Sequence, residues 1–513
     1  MNHRIISAVL SLSMMITTVV GCSEANTAIS ISDTLSVAER FLSEMKYEQA
    51  IIEFDKILSV EPKNADAYLG KAEAYIALGD NDSAVKTLKS GYEQTGDERI
   101  KARLDEVSEY AGASLNSTMD NSADATEENE NIPKTVVIAG KTYSTDETSI
   151  YCYDELSNED LKLFLNFQDL KVLVITKGGN ITDISPLTAL INLEYLSLDA
   201  CNIYDLSSLK KLVNLKHLDL RYCNISDISS IAELKKLEIL DISHNQISDI
   251  SPLSELVELV ELDIGDNNID DISPITGLSK LTALDLHGND FTDISGISNL
   301  SNLTRLNLGM VDSKVSDISF VSALTELKDL SIGDTVDDIS AISNLNKLEN
   351  LYIGCALSDL RPIASLTELK DLRLSNLYSS FTSMEALAGL TKLNKLNIEF
   401  NDQPMSLSPL SYLTELTELT VVSRGNDTVY DVDSLSNLKR LKTLDLTFSG
   451  DYDTGFLLNM SELEKMSLSI YVNDRDDLNS FTNLKKLKEL YLHNTGGSIK
   501  EKLKELLSDC QIN

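Results

Sequence analysis

The stretch LDISHNQISDISPLSELVELVELDI, residues 240–264, decides the fold, because it begins and ends on the same spacing of aliphatic residues. Leu240 and Ile242 return 22 residues later as Leu262 and Ile264. The same step continues on both sides, through the pairs at 196/198, 218/220, 284/286 and 306/308. A coil of this length cannot bury its own leucines, so successive coils must stack around one continuous core. The period therefore predicts a solenoid.

Each position within the coil has a predicted role. The Leu-x-Leu alternation predicts a strand with both leucines facing inward and the middle residue facing outward. An asparagine after the strand, such as Asn267, turns inward to satisfy backbone groups that the turn leaves unpaired. Cys201 and Cys223 take this place in two coils and are predicted to be buried thiols, with a disulfide between them as the alternative. The Asp-Ile-Ser triplet, as in residues 249–251, predicts a second corner whose side-chain oxygens cap nearby amides.

The repeat as a whole resembles the leucine-rich repeats of bacterial internalins over residues 148–495. Its consensus is Leu-x-x-Leu-x-Leu-x-x-Asn-x-Ile-x-Asp-Ile-Ser-Pro-Leu-x-x-Leu. The resemblance implies an α/β horseshoe with parallel strands on its concave face, and a role in cell-surface adhesion or recognition. We expect an N-terminal cap at 134–172, repeats at 173–495 and a helical C-terminal cap at 496–513. Fifteen strand pairs are predicted to start at Leu173, Leu196, Leu218, Leu240, Leu262, Leu284, Leu306, Leu330, Leu351, Leu372, Leu396, Leu419, Leu444, Met466 and Leu490.

A different repeat, of 34 residues, occupies residues 33–110. Small residues recur in register, which lets paired helices approach closely, and Pro62 closes the first unit. The pattern resembles tetratricopeptide repeats, which implies a docking groove for a peptide or protein; a spacer role is the alternative. Residues 111–133 are rich in Asn, Ser, Asp and Glu and are predicted to be a disordered linker. The pairs that carry the 34-residue repeat are Ala38/Ala72, Phe41/Tyr75, Ala50/Ala84 and Phe54/Leu88.

The N-terminus predicts export. A positive start is followed by an apolar run from Ile5 to Val20, which is too short for a good transmembrane helix. The run ends in Val19-Val20-Gly21-Cys22, which resembles the lipobox of bacterial lipoproteins. This resemblance implies a signal peptide at 1–21, diacylglycerol on Cys22 and a tether at 22–32. An ordinary secretory signal with an incidental cysteine is the alternative reading.

The charge balance narrows the classes of partner. The chain has 81 acidic against 44 basic residues, for a net charge of −37. Such a field repels nucleic acid and anionic membrane surfaces, so we expect membrane attachment through the lipid alone. It favours cationic partners, although a merely solvated acidic surface explains the same numbers.

Candidate ligand-binding residues lie at the outward middle position of the strands. Four consecutive coils place an aspartate there and predict an exposed acidic stripe, with a site for a basic protein patch or for a metal as alternatives. Tyrosine and arginine residues farther along suit a protein-binding hot spot or sugar stacking. Tyr195, Phe400 and Phe448 are predicted to add apolar anchors to this face. The candidates are Asp219, Asp241, Asp263, Asp285, Tyr352, Arg373 and Tyr491.

No catalytic or cofactor site is predicted. Gly140-Lys141-Thr142 lacks the first glycine of a phosphate loop, and Asp451–Gly455 has Phe456 where a calcium loop needs glycine. His217, His244 and His287 are predicted to be a scattered surface set rather than a metal site. The sequence thus predicts a monomeric, non-enzymatic lipoprotein on the outer face of a bacterial membrane. It would bind a protein through the concave face and edge loops; a scaffold that assembles other envelope proteins is the alternative.

Overall fold

The computed structural model describes residues 31–43, 47–77, 81–115, 134–309, 314–355, 357, 359–377, 383–400, 404–423, 429–448, 453–469, 478–493 and 497–513. Contacts divide the chain into two units, Met1–Asn131 and Ile132–Asn513. Cys22 and the predicted signal peptide lie outside the described residues. Within the described ranges, no helix has both the length and the apolar character needed to cross a membrane.

The N-terminal unit is a set of helices that pack on one another in chain order, and its core combines small residues with aromatic and aliphatic ones. Ala38, Ala50, Ala72 and Ala84 are fully buried, which confirms the role predicted for the 34-residue repeat. The last helix runs to Leu115, past the predicted end at 110, because Ala and Leu residues continue its helix-forming sequence. The helices are α1 (Ile31–Ser43), α2 (Tyr47–Val60), α3 (Ala65–Ala77), α4 (Asn81–Thr95) and α5 (Glu98–Leu115).

The second unit is built on one parallel sheet of 17 strands. Its strands pair in chain order from Ser149–Cys152 to Gln511–Ile512. Within the described residues, these first and last strands do not pair with each other, so the sheet is open. All fifteen predicted strand positions are confirmed. The sheet strands are β3 (Ser149–Cys152), β4 (Val172–Ile175), β5 (Tyr195–Leu198), β6 (His217–Asp219), β7 (Ile239–Asp241), β8 (Glu261–Asp263), β9 (Ala283–Asp285), β10 (Arg305–Asn307), β11 (Asp329–Ile332), β12 (Asn350–Ile353), β13 (Asp371–Leu377), β14 (Lys395–Phe400), β16 (Glu418–Ser423), β18 (Thr443–Thr447), β19 (Lys465–Ser469), β20 (Glu489–His493) and β21 (Gln511–Ile512).

The opposite side of each coil is a short 3₁₀ helix, and the helices that begin at positions 185 to 340 start at the predicted Asp-aliphatic-Ser corner. The carboxylate of Asp249 accepts a hydrogen bond from the Ser251 amide at 2.8 Å, and the same bond recurs at most of these corners. The capping role predicted for these aspartates is therefore confirmed. The 3₁₀ helices span Phe164–Asn166, Ser185–Ala189, Ser207–Lys211, Ser229–Glu233, Ser251–Glu255, Ser273–Ile275, Ser295–Asn299, Ser319–Ala323, Ser340–Ile342, Arg361–Ser365, Glu385–Leu387, Ser408–Tyr412, Val432–Asn437, Thr454–Asn459 and Leu478–Asn483.

The core is a continuous aliphatic cluster that runs through the whole stack. Asn267 lies at its border, 7% exposed, and donates to the carbonyls of Ile242 and Ile264 at 3.0 and 3.1 Å. Its side-chain oxygen accepts from the Ile247 amide at 3.0 Å, so one side chain joins two coils, as predicted. At the equivalent place Cys223 is a buried free thiol that donates to the Leu198 carbonyl.

Both ends of the stack are closed by other elements. At the start, the hairpin of β1 (Thr135–Ile138) and β2 (Lys141–Ser144) turns at Ala139 and Gly140, both with positive φ. Gly140-Lys141-Thr142 thus belongs to a hairpin. Helix α6 (Asn158–Leu163) follows β3, and α7 (Gly497–Leu506) leads into β21 at the C-terminus, a strand that the repeat pattern did not predict.

The longer coils after Leu306 use some of their extra residues to lengthen strands. The sheet strands β13, β14 and β16 have 7, 6 and 6 residues, against 3 in each of β6 to β10. Two further short strands, β15 (Met405–Ser406) and β17 (Val429–Tyr430), pair with each other in a separate two-stranded sheet. The outward strand surface is therefore broader over this part of the stack.

Candidate binding surface on the strand face

We call the outward-facing side of the parallel strands the strand face. Its first half contains the four candidate aspartates, which are nearly inaccessible to solvent: Asp219 is 5%, Asp241 1%, Asp263 5% and Asp285 0% exposed. The prediction of an exposed acidic stripe is therefore wrong. Strands about 4.8 Å apart bring successive side chains into contact, and each aspartate is enclosed by outward-facing residues of its own and neighbouring strands. Buried members of this cover are His217, Ile239, Glu261 and Ala283.

One guanidinium group serves the first two buried aspartates. Arg221 approaches a carboxylate oxygen of Asp219 at 3.1 Å and one of Asp241 at 4.0 Å. Ser197 donates its hydroxyl to Asp219 at 3.0 Å, and Ser243 donates to Asp241 at 2.6 Å. Burial and the nearby Asp241 carboxylate raise the pKa of Asp219 to about 6, against the lowering effect of Arg221. The pKa of Asp241 is also raised by its burial.

The raised pKa of Asp219 makes a pH-dependent prediction for stability. Unfolded aspartate titrates near pH ~3.9, so between about pH 4 and 6 the folded chain holds this proton more tightly. The contribution of Asp219 to stability therefore falls as pH rises through that window. We expect the free energy of unfolding of Asp219→Asn, relative to the wild type, to increase by about 1–3 kcal/mol between pH 4 and pH 7, measured by urea denaturation.

The corner residue Asp227 provides a control of opposite sign. Hydrogen bonds from Ser229 lower its pKa, so its stabilising effect is lost as pH falls below the ordinary aspartate range. The free energy of unfolding of Asp227→Asn, relative to the wild type, should therefore decrease as the pH rises through the acid end of the titration. A flat difference for Asp219→Asn between pH 4 and 6 would contradict the assignment.

A second group of charges lies in the turns that follow β7, β8 and β9. His244 Nδ1 lies 2.9 Å from Asp266 Oδ2, and His287 Nε2 lies 3.1 Å from the same oxygen. We call His244, Asp266 and His287 the His–Asp–His cluster. The other ring nitrogen of His287 lies 2.6 Å from Asp285 Oδ1, and Asp285 also accepts from the Asn307 amide group at 2.8 Å.

The carboxylates around His287 favour its protonated form. Burial lowers the pKa of His287, but the Asp285 carboxylate and the hydrogen bonds to Asp266 and Asp285 outweigh it and raise the pKa to about 11. Burial also acts on Asp266, yet hydrogen bonds from both histidines hold its pKa below the ordinary value. Burial beside other carboxylates raises the pKa of Asp263 well above its ordinary value.

The prediction of three scattered surface histidines is thus wrong. His217 is 1% exposed and stacks on Tyr195, with ring centroids 4.0 Å apart. His287 follows His244 by 43 residues, one residue fewer than two coils. Both side chains therefore reach Asp266 in the turn of the coil between them. The two histidines occupy positions that differ by one residue within the repeat, so a comparison of equivalent positions does not detect the pair.

The second half of the strand face is accessible. Tyr352 is half-buried, and the Arg373 guanidinium carbon lies 4.8 Å from the centre of its ring. Asp371 holds both residues: Tyr352 donates its hydroxyl to one carboxylate oxygen at 3.4 Å, and Arg373 Nε lies 3.6 Å from the other. Tyr491 is 42% exposed. We call this region the open face; its middle-position residues are Tyr352, Arg373, Asn397, Thr420, Asp445, Ser467 and Tyr491.

Two of the predicted apolar anchors do not reach this face. Phe400 and Phe448 are 1% and 2% exposed and belong to the core. Both stand an even number of residues after an inward leucine, Leu396 or Leu444, and side chains on a strand alternate with a period of two. The prediction for Phe400 and Phe448 is therefore wrong, because the lengthened strands carry the inward row farther.

Comparisons with known proteins agree with this architecture. The family described as Leucine Rich repeats (2 copies) matches residues 191–233, 213–255, 235–280 and 257–299, and the Tetratricopeptide repeat family matches residues 41–104. No curated protein matches the sequence.

Among solved structures, an internalin (InlF) of Listeria monocytogenes is 26% identical, with 65% of this chain and 91% of that chain covered and a TM-score of 0.52. A leucine-rich-repeat protein of Leptospira interrogans is 19% identical over 70% of this chain and 92% of its own, with a TM-score of 0.56. Internalin C2 of Listeria monocytogenes is 31% identical over 36% of this chain and 80% of its own, with a TM-score of 0.33.

Proposed function

We propose that this chain, a leucine-rich-repeat protein with internalin-like coils and an N-terminal tetratricopeptide repeat, binds a protein partner through its open face. One observation carries the proposal: the strand face changes from closed to accessible along the stack. In the first half, the middle-position aspartates are committed to internal contacts and offer little surface. From Tyr352 to Tyr491, the middle positions are all partly or fully accessible.

The chemistry of the open face suits protein recognition. Tyrosine and arginine are the residues most enriched in binding hot spots, because they supply large contact area together with hydrogen bonds. Tyr352 and Arg373 are already held in place by each other and by Asp371, so binding would cost little side-chain entropy. The longer strands β13, β14 and β16 widen the same region.

The test is capture of surface proteins by the full chain and by variants of the open face. Tyr352→Ala and Arg373→Ala are each expected to weaken binding by about 2 kcal/mol, roughly thirtyfold in Kd. Tyr412→Ala is the matched control, because Tyr412 is 64% exposed on the 3₁₀ side of the stack. Equal capture by all three variants would contradict the proposal.

We further propose that the protein stands on the outer face of a bacterial membrane and is held there by lipid on Cys22. The lipobox resemblance of residues 19–22 supports this part of the proposal. We expect Cys22→Ser to abolish incorporation of a labelled fatty acid and to move the protein from the membrane pellet to the soluble fraction. A variant that keeps the label would contradict the assignment of Cys22.

An envelope scaffold is the second candidate, and the tetratricopeptide match at residues 41–104 favours it. The identity of the captured partner separates the two functions. Adhesion predicts a partner from another cell, whereas a scaffold predicts an envelope protein of the same cell.

A further inference from the structure

The His–Asp–His cluster has the chemistry and the spacing of a metal site. Its three candidate ligand atoms all lie within 4.8 Å of one another. In a tetrahedral zinc site with bonds of ~2.0–2.1 Å, ligand atoms are separated by roughly 3.3 Å. The two separations from Asp266, 2.9 and 3.1 Å, therefore need only a small opening to admit an ion.

Two glycines make room for this cluster. A Cβ atom at Gly265 would lie 2.3 Å from Cε1 of the His287 ring, and one at Gly288 would lie 1.9 Å from Asp266 Oδ1. At the position of Gly265, the preceding coils carry Arg221 and Ser243. The histidine and the aspartate thus occupy space that side chains fill elsewhere in the repeat.

The surrounding residues orient both imidazole rings. Asp285, which is fully buried, lies 2.6 Å from Nδ1 of His287 and so directs Nε2 toward Asp266. A carboxylate that binds the outer nitrogen of a ligating histidine is a recurrent feature of metal sites. On the other side the Tyr222 ring stacks on the His244 ring, with centroids 4.1 Å apart and planes 9° apart.

We propose that His244 Nδ1, His287 Nε2 and a carboxylate oxygen of Asp266 bind one divalent transition-metal ion of the zinc class. Two imidazoles and one carboxylate match the ligand preference of such ions, whereas calcium requires six or more oxygens. The side chains of His244, Asp266 and His287 are 20%, 39% and 15% exposed, so an ion can enter from solvent. Water, or a side chain of a bound partner, would complete the coordination.

The site goes beyond the proposed function, since it lies on the half of the strand face that the open face does not include. Its binding can be measured without any partner.

The experiment uses the full chain with Cys22→Ser, purified without a histidine tag and stripped with a chelator. Zn²⁺ is titrated against a coloured zinc indicator, and Co²⁺ is titrated in parallel to record its visible absorption. We expect one ion per chain, no displacement by excess Ca²⁺ and a rise in the melting temperature with Zn²⁺. His244→Gln, Asp266→Asn and His287→Gln should each weaken binding roughly 100-fold or more, and Asp285→Asn about 10- to 100-fold.

Matched controls are His217→Gln and Asp290→Asn, which remove the same chemical groups nearby. Both should bind Zn²⁺ as the wild type does, because neither residue belongs to the cluster. Gly288→Ala should weaken binding while leaving all three ligands in the sequence. The proposal is overturned if the wild type binds no stoichiometric ion, if Ca²⁺ displaces Zn²⁺, or if Asp266→Asn, folded by circular dichroism, binds Zn²⁺ undiminished.

Discussion

Arg305→Met is expected to lower the free energy of unfolding of the repeat unit by about 3–5 kcal/mol. Glu261 is fully buried, and Arg305 donates to its carboxylate at 2.8 Å from two coils away. Ala283 occupies the equivalent place in the coil between them, and its small side chain lets the arginine cross to the glutamate. Removal of the guanidinium leaves a buried carboxylate without this counter-charge, and the desolvation of that charge is no longer offset.

Two further variants separate this effect from a general loss of packing. Glu261→Gln combined with Arg305→Met should recover most of the lost stability, because the buried charge is gone as well. Lys235→Met breaks the ion pair between Lys235 and Glu255, whose side chains are 50% and 66% exposed respectively. This variant should change the free energy of unfolding by less than about 1 kcal/mol. Urea denaturation followed by circular dichroism measures all of these. A double variant no more stable than Arg305→Met would contradict the explanation.

Asn267→Leu is expected to destabilise the repeat unit by about 3 kcal/mol or more. The leucine fills similar space but leaves the carbonyls of Ile242 and Ile264 and the amide of Ile247 without the partners that Asn267 supplies. Each buried backbone group left unsatisfied costs about 1–3 kcal/mol. The measurement is again the free energy of unfolding in urea.

Cysteine at the same position is the informative control. Cys223 stands at the equivalent place two coils earlier and donates its thiol to the Leu198 carbonyl at 2.9 Å. Asn267→Cys should therefore cost clearly less than Asn267→Leu. Equal losses would mean that the side-chain volume, and not the hydrogen bonds, determines the stability of this turn.

The repeat predicts those features that depend on one residue's position within its own coil. Inward leucines, the inward asparagine and the capping aspartates recur every coil, so a single coil such as residues 240–261 shows their roles. The fifteen strands follow directly from this recurrence. By contrast, β21 belongs to no repeat, and its two residues carry no comparable signal.

The features that the sequence did not predict depend on contacts between coils. Burial of Asp241 depends on Arg221, which reaches it from the preceding coil, as well as on Ile239 of its own strand. The salt bridge of Glu261 and Arg305 spans two coils, and the small residue between them is its only sequence signal. A comparison of each position with its equivalents one and two periods away detects the small residue Ala283 between Glu261 and Arg305. The same comparison detects Gly265 and Gly288 beside the His–Asp–His cluster.

The central claim, that the open face is the protein-binding surface, is tested most directly by site-specific photo-crosslinking on intact cells. A photoreactive amino acid is placed at Tyr352 or Tyr491 on the open face, and at Tyr412 or Tyr204 on other exposed positions. The predicted result is one discrete crosslinked protein from the two open-face positions and none from the other two. Crosslinks to that same protein from Tyr412 and Tyr204, with none from Tyr352 and Tyr491, would contradict the claim.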